Sequence, residues 1–69
     1  MEVFIKRFKE LRKEKSISLN ELAEALGVDK STICRWENGE QKPGFDAIIA
    51  ISKFFHVSSD YILGLTDFI

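Results

Sequence analysis

Between Leu22 and Trp36 two helical apolar stripes are separated by only about three residues, Gly27 to Asp29, and this short break constrains the fold more than any other feature. Leu19, Leu22, Ala23 and Leu26 form the first stripe. Ahead of it, Ser18 with Glu21 three residues later predicts a capping box, and Ile17 with Leu22 a hydrophobic staple. Gly27 ends that helix, since glycine takes the left-handed C′ conformation at little cost. Asp29 is placed to cap the next one, with Val28 and Ile33 as its staple and Gly39 as its terminator. Small Ala23 lets the two helices approach, and Leu22, Leu26, Val28, Ile33 and Trp36 fix their crossing angle.

The rest of the chain is helical too. From residue 2 to residue 15, Phe4, Phe8 and Leu11 recur at helical spacing among Lys6, Arg7, Lys9, Arg12, Lys13 and Lys15, which predicts an amphipathic first helix. Pro43 and Gly44 mark a loop. Beyond them Phe45, Ile48, Ile49, Ile51, Phe54 and Phe55 give an apolar helix of about three turns. Ser58 can cap a short fifth helix that runs through Leu63 and ends at Gly64. No convincing alternating run reads as a strand, so the expected fold class is all-α, a five-helix bundle.

Size and composition exclude several classes of function. With 69 residues there is room for one modest core and no second lobe to close over a substrate. Cys34 is the only cysteine, so no internal disulfide forms, and no Cys/His cluster supplies a structural zinc site. No phosphate-cradling glycine loop, metal site or acid and base pair appears, so an enzyme and a cofactor are not expected. His56, the only histidine, is better placed to help cap the fourth helix than to act in catalysis or bind metal. Apolar runs fall far short of the roughly 20 residues of a bilayer span, and Met1 opens no export signal, so a cytoplasmic location is expected. The net charge of −1 conceals an asymmetry: residues 1 to 42 carry nine of the ten basic side chains. An anion would bind the N-terminal part.

On a helical wheel advancing about 100° per residue, Ser31, Cys34, Arg35 and Asn38 lie opposite Ile33 and Trp36. That face is polar or small, and it is free. A helix fits the DNA major groove, where arginine can donate twice to guanine and serine can pair with several base edges. Lys30 stands at the N-terminal end, which enters the groove first.

These residues form a helix-turn-helix, and the chain resembles the Cro and lambda-repressor-like family of XRE-type regulators. The resemblance runs through Ile17-Ser18, Leu22 to Val28, Ser31-Thr32-Ile33, Arg35 to Gly39, Lys42-Pro43 and Val57 to Gly64. It implies that residues 1–69 are a single lambda-repressor-like DNA-binding domain, acting as a repressor and as a homodimer on palindromic double-stranded DNA. By position, it implies that Lys30, Ser31 and Arg35 read bases while Thr32, Asn38 and Lys42 contact phosphates. It also implies a structural pair between Arg12 and Glu37, alongside the structural residues Ala23, Gly27, Ile33 and Trp36. Two departures weaken electrostatic anchoring. Leu19 stands where the family often has a phosphate-binding glutamine, and Glu40 where it often has a basic residue.

Several features also have plainer readings. The basic first helix is better read as a solvated face laced with Glu10 and Glu14 pairs than as a DNA contact. Cys34 is a small spectator thiol, because no activating cluster surrounds it. Trp36, Phe54 and Phe55 fit core spacing rather than base stacking. Leu65, Phe68 and Ile69 leave apolar bulk at the end of the chain, which either forms a dimer seam or folds back on the core. The same fold can also serve as a protein-interaction module, such as an antitoxin or adaptor, and no small-molecule ligand is evident.

Overall fold

Each apolar stripe finds a partner helix. A computed structural model describes residues 2–69, and the export-signal reading at Met1 lies outside the described residues. The element order is α1 (Glu2–Glu14), α2 (Leu19–Leu26), α3 (Lys30–Asn38), α4 (Phe45–Phe55) and α5 (Ser59–Leu63), with no strand among the described residues. α1 packs on α3 and α5, α2 on α3 and α4, and α4 on α5. Their buried faces meet in one core built on Phe4, Phe8, Leu22, Ile33, Trp36, Ile51, Phe55 and Ile62. Aromatic edges organise its centre: Phe8 stacks on Phe4 and meets Trp36 and Phe55 edge to face. Among the described residues, Trp36 Nε1 is the one buried side-chain polar atom without a hydrogen-bond partner. The core therefore uses the bulk of this indole and not its N–H.

The predicted boundaries hold at most helix ends, for local reasons. Ser18 accepts from the Glu21 N–H at 3.1 Å while the Glu21 carboxylate accepts from the Ser18 N–H at 3.0 Å, the reciprocal closure of a capping box. Gly27 has φ +71°, and a Cβ built there would meet nothing within 4 Å. Glycine is needed at this corner for its backbone conformation and not for space. Ser58 caps α5 by accepting from the Tyr61 N–H at 3.0 Å.

Three expectations need correction. Asp29 occupies the N-cap position of α3, but its carboxylate accepts no capping hydrogen bond. The stripe of α4 is narrower than its composition implies: Ile48, Ile51 and Phe55 are buried, Phe54 is half-buried, and Phe45 and Ile49 are exposed. Phe45 sits at the first position of the helix, where its side chain extends beyond the bundle. On α1 no ion pair joins Glu10 or Glu14 to a lysine; among the described residues the salt bridges are Arg7 with Asp67 and Arg12 with Glu37. His56 does close α4, but through its left-handed backbone and an N–H donated to Ser52, not through its imidazole.

Candidate nucleic-acid interface

α3 divides into two faces with different chemistry. Ile33, Trp36 and Glu37 are buried, whereas Lys30, Ser31, Arg35 and Asn38 are exposed. Cys34 and Thr32 are half-buried on the flanks. The structure thus brings Lys30, Ser31 and Arg35 onto one open ridge with Asn38 at its far end. Lys42 lies exposed in the loop beyond Gly39. Thr32 is the least accessible of the expected phosphate contacts.

The ridge is rigid because of what lies beneath it. Ala23 and Leu22 of α2 are buried where α3 crosses, and the turn between the helices is closed by Val28 N–H donating to Ala23 O at 3.0 Å. Behind Arg35 the helix end is locked: Glu40 N–H donates to Arg35 O at 2.9 Å and Gly39, at φ +78°, donates to Trp36 O.

Glu37 ties α3 to α1. Arg12 Nε donates to one Glu37 carboxylate oxygen at 2.7 Å and the guanidinium Nη2 to the other at 3.2 Å, a two-pronged pair. Arg12 also donates to the Ile17 carbonyl at 3.4 Å, so it spans α1, the α1–α2 connection and α3. The hydrogen bond to Glu37 raises the Arg12 pKa above its ordinary value, against the opposing effect of burial. Glu37 therefore lies in the last turn of α3 on the face opposite the exposed ridge.

The ridge carries only basic and neutral groups at its working positions. Among the described residues there is no cluster of His, Cys, Asp and Glu able to hold a metal ion. Its chemistry is that of hydrogen bonding: a guanidinium fork and an ammonium donate, and a hydroxyl and a carboxamide donate and accept, all exposed to solvent. The sequence missed Arg7, which joins α1 to the chain beyond α5. On the wheel Arg7 borders the Phe4 and Leu11 stripe, and that position was the available signal.

Comparison with known proteins places this geometry. A family profile described as helix-turn-helix matches residues 8–62. The HTH-type transcriptional regulator YobD of Bacillus subtilis is 37% identical over 65 residues, covering 94% of this chain and 58% of the relative. AnsR, also of Bacillus subtilis and named as an HTH-type transcriptional regulator, is 38% identical over 58 residues, covering 84% of this chain and 50% of the relative. The chain thus spans between half and three fifths of the length of these relatives. Among solved structures, the P22 c2 repressor in complex with a synthetic operator superposes with a TM-score of 0.82 at 30% identity, covering 87% of this chain and 91% of that one. The N-terminal DNA-binding domain of SinR from Bacillus subtilis gives 0.83 at 36% identity, covering 91% and 93%.

Proposed function

The chain belongs to the helix-turn-helix family of Cro- and lambda-repressor-like, XRE-type regulators, and from that premise we propose that it binds double-stranded DNA sequence-specifically and represses transcription. α3 enters the major groove, with Arg35 and Ser31 directed to base edges and Lys30 leading. Lys42 and Asn38 bind phosphates and set the register, and Thr32 adds a weaker contact from the flank. The observation that carries this reading is the exposed ridge of Lys30, Ser31 and Arg35 over a buried Ile33 and Trp36.

A homodimer on a palindromic operator places two copies of α3 in successive major grooves about 34 Å apart. Repression follows from occupying a site that polymerase needs. No helix among the described residues is long and apolar enough to cross a membrane, and we place the protein in the cytoplasm with its DNA. In this proposal residues 1–69 act as one DNA-binding domain.

Selection of tight binders from random duplex DNA tests it. The expected product is a short two-fold symmetric consensus. A flat profile, with another protein co-purifying, would replace this reading by that of a protein-interaction module.

A further inference from the structure

The fold holds the acidic side chains it uses. Arg7 closes the turn beyond α5 by donating to the Tyr61 and Thr66 carbonyls and to the Asp67 carboxylate, and Arg12 holds Glu37. Glu21 accepts from the Ser18 N–H in its capping box. Asp29 is different. It is exposed and has the extended N-cap backbone, φ −76° and ψ 150°, yet its side chain accepts no capping hydrogen bond. Nor does it pair with Lys30 beside it, since the salt bridges among the described residues are those of Arg7 and Arg12. Of the exposed acids next to α3, Glu40 trails the helix and Asp29 leads it. A carboxylate and an ammonium at adjacent positions thus both stay free at the end of α3 that enters the groove first.

What that carboxylate meets decides its effect. Facing a phosphate, it would lower affinity for every duplex alike. Facing base edges, it selects among them. The charged groups of the ridge, Lys30 and Arg35, only donate, so they favour the O6 and N7 acceptors of guanine. Asp29 supplies the complementary function, because a carboxylate only accepts. In the major groove guanine and thymine offer it no donor, and adenine sets its N6 amine beside the N7 acceptor, which repels a carboxylate. Cytosine presents an amine, N4, with no acceptor of its own next to it. The partner of cytosine is guanine, whose O6 and N7 suit the Lys30 ammonium next along the chain. These two neighbouring side chains therefore carry the opposite signs that the two bases of one C·G pair call for. In the free protein Asp29 has neither a cap bond nor an ion pair to break on reaching DNA.

We propose that Asp29 is a further specificity-determining residue, accepting from cytosine N4 at one C·G pair of the bound sequence and rejecting guanine, thymine and adenine there. The inference rests on the DNA-binding reading above and adds one base to those that α3 reads.

Selection from random duplex DNA with wild type, Asp29→Ser and Asp29→Asn tests it, followed by titration of all three against the selected duplex and its single base-pair variants. The wild-type consensus carries a C·G pair at the edge set by the start of α3, and replacing that pair by T·A weakens wild type by about tenfold or more. Asp29→Ser, which keeps a residue suited to the N-cap, loses the preference at that pair alone and keeps the positions that Arg35 sets. Asp29→Asn moves the preference to adenine, since a carboxamide matches its N6 and N7. An identical consensus with an undiminished penalty in Asp29→Ser overturns the assignment. Tighter binding of Asp29→Ser to every duplex by the same factor also overturns it, because the carboxylate would then repel phosphates and read nothing. A sharp wild-type consensus with no pair sensitive to Asp29 rejects this residue and spares DNA reading by α3, whereas a flat one sinks both.

Discussion

The starts of α2 and α3 use similar residues and end up differently built. At α2, Ser18 and Glu21 exchange hydrogen bonds, so the helix carries its own closure. Asp29, in the equivalent place before α3, caps nothing with its side chain. What positions α3 lies across the fold: Ile33 and Trp36 in the core, and Glu37 on Arg12 of α1. A locally defined helix thus supports one whose placement depends on its neighbours, and the first N–H groups of the supported helix have no side-chain cap. Such an end is open to an anion.

The comparison is broken most forcefully at Glu37. Glu37→Ala leaves the half-buried Arg12 guanidinium with only the Ile17 carbonyl and should cost about 1–3 kcal/mol. For a chain of this size each kcal/mol lowers Tm by roughly 4–8 °C, so thermal unfolding reads the effect easily. A variant that melts like wild type would show that α3 does not depend on α1.

The two caps sharpen the contrast at smaller scale. Ser18→Ala should lose about 1 kcal/mol, and Asp29→Ala no more than a few tenths. Equal losses by denaturant titration would erase the distinction between the helix starts. Smaller still is a pH effect confined to α2. The Ser18 hydrogen bonds hold the Glu21 carboxyl below its ordinary pKa. A lowered folded value means that this stabilisation is complete above the ordinary value and fades as pH falls through the folded one. Glu21→Gln should remove that part of the acid dependence. An unchanged acid limb would show that the box contributes nothing to it.

What was legible in the sequence was what is local. Gly27, Gly39 and Gly64 take left-handed conformations at three helix ends, and Ser18 and Ser58 cap where their spacing predicts. The ridge was legible as well, because the helical period alone separates Lys30, Ser31 and Arg35 from Ile33 and Trp36. Asp29 misled because residue type and the extended N-cap backbone it shares with Ser18 give only the capacity to cap, while the side-chain rotamer decides its use. Phe45 and Ile49 misled because an apolar residue near a helix start need not face the core. The Arg7 turn left little trace, since two of its three acceptors are backbone carbonyls more than fifty positions away, and a carbonyl has no sequence signature.

Base reading by the α3 ridge is tested most directly by titrating Arg35→Ala and Lys42→Ala against a selected operator and its single base-pair variants at several salt concentrations. Arg35→Ala should lose about 1–3 kcal/mol and relax preference at one base pair per half-site. Lys42→Ala should weaken all sequences alike and lower the salt slope by about 1 per monomer. Uniform loss across every sequence for Arg35→Ala would contradict the account, because α3 would then bind DNA without reading it.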